Sequence, residues 1–196
     1  MTPSTRRALN WGVPILVLLA IIGFLLEGAD RPANPFFRQP AAAGGATATP
    51  VPERTRVTGF GEIAFRIDST GVLFGGGGSV SAARCALLAA TSEQMSKGLM
   101  GRTDLSGYDG MLFRFDGDTQ GTFYMKDTLI PLSIAWFDAQ GRFISATDMP
   151  PCGDAPVCPT YGAEAAYRYA LEVPEGGLPA LGVGPGTRLI VGAERC

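Results

Sequence analysis

Length, charge and composition exclude several classes of protein. The 196 residues are close to the length at which one domain buries a sound core, so any second core would be very small. Sixteen basic and 18 acidic residues give a formal charge of -2, which leaves no basic field for a nucleic-acid backbone, and we expect no nucleic-acid partner. Histidine is absent, which removes the commonest general base and the commonest neutral metal ligand. We therefore expect neither a metal nor a cofactor.

The N-terminal part of the chain carries an uncharged apolar run. Residues 11–26 read WGVPILVLLAIIGFLL, with Arg6 and Arg7 before them and Glu27 after. This asymmetry predicts that residues 1–10 stay in the cytoplasm and that the rest of the chain lies outside. With the three residues before it, the run would span about 28 Å as a helix, close to the roughly 30 Å of a hydrocarbon core. We interpret it as a transmembrane anchor, and the alternative is a cleaved signal that leaves a secreted protein.

The composition changes after the apolar run. Residues 27–56 are rich in Pro, Ala, Gly and Thr. Such a segment buries too little apolar surface to order itself, and it predicts a linker that holds the following domain away from the bilayer. The remaining residues, 57–196, are then the one globular domain, displayed on the extracytoplasmic side.

Short runs within this domain alternate apolar and polar residues with the period of a strand. The aligned apolar sets are Ile63, Phe65 and Ile67; Met111, Phe113 and Phe115; and Tyr167, Tyr169, Leu171 and Val173. Residues 132–137 are almost continuously apolar, which predicts a strand covered on both faces, and a turn at 138–141 predicts a hairpin with residues 142–146.

Helical signals in the domain are few. Thr91 and Gln94 have the spacing of a capping box, and Gly98 is a stop signal, so a short helix is expected between them. A second helical turn is expected at residues 177–181. Together the patterns predict a mainly β fold, a single compact β-barrel or jelly-roll-like sandwich with one or two short helices, preceded by the transmembrane helix.

A series of short motifs extends through the second half of the chain. They are Gly98–Arg102, Gly110–Phe113, Phe123–Lys126, Thr128, Pro131–Leu132, Pro151–Cys152, Cys158–Pro159 and Glu172–Pro174. In order and spacing, from about residue 85 to 191, the chain resembles the bacterial and archaeal domain of unknown function 192 family. The resemblance implies a compact β-barrel or jelly-roll-like domain, often exported, with no established biochemical activity. The chain departs from the family at Tyr124, Asp127 and Ser133, where Trp, Asn and Asp are more usual, and these changes alter the hydrogen-bonding groups.

The four cysteines fit an oxidising compartment. Cys152 and Cys158 flank a five-residue loop, and we predict a local disulfide there. A redox pair or a zinc site is disfavoured because the C-x-x-C spacing and histidine are both missing. Cys85 and Cys196 either form a second disulfide or remain a buried thiol and a loose tail.

The segment 122–128 holds the candidate ligand-binding residues. On a strand, Tyr124 and Lys126 would share one face. If Arg102 lies near that face, Arg102 and Lys126 would form a shallow basic recess for a small anion, with Tyr124 as its wall. The other polar candidates in this hypothesis are Asp127 and Ser133. Alternatively, Lys126 pairs with a nearby carboxylate such as Asp109 or Asp148 and ties loops together.

Three functions remain open from the sequence. The first is a non-catalytic module that binds a small molecule, a glycan or an envelope partner while tethered to the membrane. The second is a histidine-independent enzyme, for example a glycan hydrolase, for which a pair among Asp104, Asp109, Asp148 and Glu172 could supply the two carboxylates. The third is a purely structural interaction domain, whose sign would be an exposed apolar patch.

Overall fold

The computed structural model describes residues 53–70, 78–153 and 155–196. The predicted cytoplasmic segment 1–10, the apolar run 11–26 and most of the linker 27–56 lie outside the described residues. Within the described ranges, no helix has the length and apolar character needed to cross a membrane.

The described residues of the domain form nine strands and two short helical segments. The strands are β1 Gly61–Asp68, β2 Arg84–Ala89, β3 Gly110–Thr119, β4 Phe123–Tyr124, β5 Leu132–Phe137, β6 Phe143–Met149, β7 Thr160–Tyr161, β8 Tyr167–Pro174 and β9 Arg188–Val191. The helix α1 spans Ser92–Lys97, and a 3-10 turn spans Pro179–Leu181. The predicted mainly β class and the two short helical segments are confirmed.

Seven strands form one curled sheet in the order β6-β5-β8-β3-β2-β1-β9, and β4 pairs with β7 in a separate two-stranded sheet. The β2–β3 pair is parallel, while the other pairs in the large sheet are antiparallel. The sheet curls into a half-barrel whose two edges approach each other at a bridge between Arg142 and Arg188. There the Leu189 N–H donates to the Gly141 carbonyl at 2.7 Å. Gly141 has a φ of +75°, and a Cβ would lie 2.1 Å from the Leu189 oxygen, so only glycine fits this approach.

The face inside the curl is an apolar core. Alternate residues of the strands meet there, and the loop around the 3-10 turn adds Leu178 and Val183. Because side chains from both β1 and β9 join those of the central strands, this cluster lies on the concave side. Its buried strand members are Ile63, Phe65, Ile67, Ala86, Leu88, Leu112, Ala135, Phe137, Leu171, Val173 and Leu189. We call this side of the sheet the inner face.

The opposite side of the central strands, the outer face, is covered by connections. The buried cluster here joins Leu87, Met111, Ile134, Trp136 and Ala170 of the sheet to residues of the covering loops: Leu99, Leu105, Tyr108 and Met125. As a result all six residues of β5 are buried, which confirms the predicted strand covered on both faces and its hairpin with β6.

The covering layer is fixed by a cap and by two disulfides. Thr91 and Gln94 form the predicted capping box of α1, and Gly98 ends the helix. The predicted Cys152–Cys158 disulfide is present, and Cys85 in β2 is bonded to Cys196, so the second bridge is formed as well. Disulfides of this kind are typical of proteins in oxidising compartments outside the cytoplasm.

Candidate functional site

A cavity of about 250 Å³ opens on the outer face, between α1 and the β4 region. Its walls come from three places: the end of α1 and the turn after it, the segment 121–124 around β4, and side chains of β3 and β8. The lining residues are Met95, Ser96, Lys97, Gly98, Leu99, Met100, Phe113, Phe115, Gly121, Thr122, Phe123, Tyr124, Thr128, Tyr167 and Glu172. The cavity therefore mixes apolar and aromatic side chains with several polar groups, and polar groups in a concave site can fix the orientation of a small molecule.

Glu172 is the acidic residue of this cavity. It lies in the middle of β8, opposite Met111 of β3 and Ile134 of β5, and is only 6% exposed. Within the described part of the chain its carboxyl group has no hydrogen bond and no ion pair. Burial alone raises the pKa of Glu172 to about 8, so the group is mostly protonated at neutral pH. A buried acid without a partner costs stability, and such a residue in a cavity is a candidate functional group.

Aromatic rings form much of the cavity wall. Phe113 and Phe123 meet edge to face with ring centroids 5.0 Å apart, and Phe115 and Tyr167 do so at 5.4 Å. The Tyr167 hydroxyl donates to the Gly121 carbonyl at 2.9 Å, and burial raises the pKa of this tyrosine to about 12, so it remains a neutral donor. These contacts fix the wall around a preformed space.

A second unpartnered polar group lies beneath this wall. The Trp136 ring packs 6.3 Å from the Phe123 ring, centroid to centroid, and its buried Nε1–H is without a hydrogen-bond partner in the described ranges. Trp136 pairs with Ala170, two residues along β8 from Glu172, and Trp136 shares the outer face with Ala170. The layer around the cavity thus contains one fully buried polar group without a partner among the described residues, the Trp136 Nε1–H, and one acid, Glu172, whose side chain borders the cavity.

Of the three residues in the predicted recess, the structure brings one to the cavity. Tyr124 lines it and is 46% exposed. Arg102 instead donates to Ser106 Oγ at 2.6 Å and to the Asp104 carbonyl at 3.0 Å, within its own loop. Lys126 is exposed, and no ion pair to it is found among the described residues. A binding role for Arg102 and Lys126 stays a prediction.

The two remaining polar candidates make local contacts outside the cavity. Asp127 has a φ of +54° in a turn, and its carbonyl accepts from the Gly101 N–H at 2.7 Å. This left-handed conformation is one that Asp tolerates better than most residues. The buried Ser133 hydroxyl donates to Asp148 at 2.5 Å and accepts from the Gly176 N–H at 2.9 Å, so it joins β5, β6 and the turn after β8.

The alternative pairing of Lys126 with a carboxylate is not present in the described ranges. Asp109 lies 3.4 Å from Arg84 and accepts from the Cys85 N–H, while Asp148 accepts from Ser133. A pair of catalytic carboxylates is not assembled at the cavity either, because Glu172 is the single acidic residue along its lining. Within the described residues, one group of candidate metal ligands occurs, Glu62 with Cys85 and Cys196, but both sulfurs belong to the disulfide.

Sequence reasoning named Glu172 only as one of four candidate carboxylates. The alternation of β8 carried a stronger signal, because Leu171 and Val173 face the inner core and Glu172 must therefore face the other way. What the sequence did not reveal is that this other face is covered. An acidic residue on a solvated face is ordinary, whereas the same residue under a covering layer is exceptional.

The fold and cavity define a class of protein: a β domain with a curled mixed sheet and a cavity on its outer face that is lined in part by aromatic rings. The chain belongs to the domain of unknown function 192 family, whose model, described as an uncharacterised ACR, matches residues 76–191. The predicted family is confirmed.

Two solved structures have the same fold. One is a putative transcription regulator from Sinorhizobium meliloti 1021, 25% identical, with a TM-score of 0.57, covering 70% of this chain and 98% of its own. The other is a protein of unknown function from Novosphingobium aromaticivorans DSM 12444, 26% identical, with a TM-score of 0.56, covering 76% of this chain and 99% of its own. No curated protein sequence matches the chain significantly.

Proposed function

We propose that the domain is a non-catalytic binding module that holds a small molecule in the outer-face cavity, with Glu172 as its polar anchor. The observation that carries this proposal is a buried carboxyl group without a protein partner in a preformed aromatic space. A protein keeps such a group at a cost to its stability when a ligand supplies the missing partner. The solvent-exposed Tyr124 marks the mouth.

The cavity volume sets the size of the ligand. A dry protein cavity of about 150 Å³ accepts benzene. The roughly 250 Å³ available here therefore accommodates one ring with a short polar substituent, or an aliphatic group of similar bulk. A glycan chain would have to remain at the mouth, so we favour a small molecule over a glycan.

An enzyme remains the second candidate, and one observation favours it. Burial raises the pKa of Glu172 to about 8, and a carboxyl group that holds its proton at neutral pH is suited to general acid catalysis. The two-carboxylate arrangement of glycosidases needs a second acid across the site, which the lining of this cavity does not include. Binding therefore accounts for more of the geometry than catalysis.

We also propose that residues 11–26 anchor the protein and present the domain outside the cytoplasm. The uncharged apolar run behind Arg6 and Arg7 and the two disulfides support this location. A location in the cell envelope and a net charge of -2 are both unfavourable for binding DNA. We therefore do not extend the name of the Sinorhizobium protein, a putative transcription regulator, to this chain. Fractionation with an alkaline wash tests the anchor: the protein should stay in the pellet, and its release would refute membrane insertion.

Ligand binding can be tested with a matched pair of glycine variants. A Cβ at Gly121, on the cavity lining, meets only Thr119 and Tyr167 at 3.5 and 3.6 Å, whereas one at Gly117 meets nothing within 4 Å. Gly121→Leu should therefore fill the cavity without disrupting the fold, and Gly117→Leu serves as the control.

The readout uses two small probes, 2-phenylethanol and 2-phenylethylamine, at millimolar concentration. Saturation-transfer NMR with the full chain in phosphatidylcholine nanodiscs should detect at least one probe for the native protein and for Gly117→Leu. The signal should disappear for Gly121→Leu at an unchanged melting temperature. Equal signals from both variants, or no signal from any protein, would overturn the proposal.

A further inference from the structure

The chemistry of the cavity specifies the charge of its ligand. We infer that the ligand is a small organic cation, an ammonium or guanidinium compound, whose positive group pairs with the Glu172 carboxylate inside the aromatic wall. This inference rests on the proposed binding function and adds to it the ligand class.

Two features of the wall favour a cation. The rings of Phe113, Phe115, Phe123, Tyr124 and Tyr167 line the space, and aromatic faces carry negative partial charge that attracts cations and repels anions. Glu172 is only 6% exposed and provides the counter-charge when it ionises, so the attraction is screened less than between two exposed groups.

The other titratable side chains around the cavity do not supply a competing partner. They are Lys97, Tyr124 and Tyr167. Lys97 lies in the last turn of α1 and is exposed, so its charge is at the mouth and screened by solvent. Tyr167 is committed to the Gly121 carbonyl through its hydroxyl. Glu172 is therefore the one carboxyl group on the lining, and the one with which a bound cation can form an ion pair.

Binding of a cation must release a proton. Free Glu172 is mostly protonated at neutral pH, since burial raises its pKa to about 8. The ligand enters as R–NH3⁺, the carboxyl O–H bond breaks, the proton leaves to the buffer, and the carboxylate pairs with the ammonium group. The cavity holds a neutral carboxylic acid before binding and a neutral ion pair after it, so no isolated charge is buried.

A set of matched ligands tests the inference. The probes are 2-phenylethylamine, 2-phenylethanol and phenylacetate, which present a positive, a neutral and a negative group on one ring. The protein is the full chain in phosphatidylcholine nanodiscs with Trp11→Phe, which leaves Trp136, behind the Phe123 wall, as the sole tryptophan reporter. The amine should bind at least about tenfold more tightly than the alcohol at pH 7, and phenylacetate should bind most weakly.

Charge removal at Glu172 provides the matched protein control. Glu172→Gln keeps the shape of the side chain and should reduce the amine preference to under about threefold, while Glu175→Gln, an exposed acid in the turn after β8, should leave it unchanged. Calorimetry at pH 7 in phosphate and in Tris should detect close to one proton released per amine bound. Amine affinity should rise by about tenfold per pH unit up to about pH 8 and then level off.

The failures of the two proposals are distinguishable. If the alcohol or phenylacetate binds as tightly as the amine, or if Glu172→Gln leaves the amine preference intact, the cation inference is wrong and the binding function stands. If none of the three probes perturbs Trp136 or binds by calorimetry at millimolar concentration, the cavity is not a binding site and both proposals fall.

Discussion

The two faces of the curled sheet are packed differently. The inner face is an apolar cluster to which most strands contribute, and it is closed where the edges meet at Arg142 and Arg188. The outer face is covered by loops, one short helix and the β4–β7 pair, and it contains a cavity and a buried acid. One face thus resembles an ordinary protein core, and the other combines packing with unsatisfied polar groups.

The difference indicates that the inner face stabilises the fold mainly by packing and that the outer layer packs less completely. Inner-face side chains interdigitate across a continuous sheet, whose backbone hydrogen bonds are already paired. The outer layer lacks such a sheet above it, and both disulfides belong to it: Cys85 is in its core cluster and Cys152 packs against that cluster. Covalent bonds there take the place of packing.

The largest effect should follow loss of the long-range disulfide. Cys85 and Cys196 are 111 residues apart, and removing a bridge that closes about 100 residues costs roughly 4 to 5 kcal/mol in the chain-entropy model. Cys85→Ala with Cys196→Ala should lower the free energy of unfolding by that amount, measured by denaturant titration. Cys152→Ala with Cys158→Ala, which opens a loop of six residues' separation, should cost less than about 3 kcal/mol. Equal losses would contradict the loop-entropy account.

Phenylalanine truncations compare the faces directly. Phe65 is buried at 1% exposure on the inner face, and Phe65→Ala should destabilise the domain by about 3 to 5 kcal/mol. Phe115 already borders an open cavity, so Phe115→Ala removes little close packing beyond its edge-to-face contact with Tyr167 and should cost about 1 to 2 kcal/mol. Melting curves of the two variants test the contrast. A larger loss at Phe115 would mean that the outer face is packed as tightly as the inner.

Glu172 should make stability depend on pH in a predictable direction. Its folded pKa, about 8, lies above its ordinary value of 4.5, so below about pH 4.5 both states are protonated and there is no penalty. As pH rises towards 8, the unfolded chain ionises while the folded protein keeps its proton, and the folded state loses stability. Above about pH 8 the penalty is complete and constant.

Glu172→Gln removes this linkage. The free energy of unfolding of the variant, relative to the native protein, should therefore rise between pH 5 and pH 8 by about 2 to 4 kcal/mol. Unfolding titrations at several pH values measure the change. Glu175→Gln, which alters an exposed acid, is the control and should show no such trend. A flat difference for Glu172→Gln would mean that the acid is solvated in the folded state.

The sequence predicted the strands better than the layer that covers them. The alternation at Ile63–Ile67 and Tyr169–Val173, the apolar run of β5 and the capping box at Thr91 each act locally, and the structure contains all four. The predicted alternation fails at Tyr167, which lies on the outer face beyond the register shift between Arg114 and Thr119. The cavity depends instead on how the segment after α1 and the segment around β4 cover the sheet. No local pattern encodes that long-range contact, so Glu172 looked like one acid among several. Tyr124 was found because its motif was recognisable, not because its neighbours were known.

The smallest effect is expected at Lys126, and it tests whether the rim of the outer layer is structural. The side chain is exposed and has no ion pair among the described residues, so Lys126→Met should change the free energy of unfolding by less than about 0.5 kcal/mol. Arg102 is the contrasting cation, because it holds Ser106 and the Asp104 carbonyl. Arg102→Met should cost about 1 to 3 kcal/mol, since it leaves these groups without their charged donor. If Lys126→Met destabilises as much as Arg102→Met, Lys126 is a structural tie of the covering layer; if it instead weakens phenylacetate binding at constant stability, the basic recess predicted from the sequence is a second site on this face.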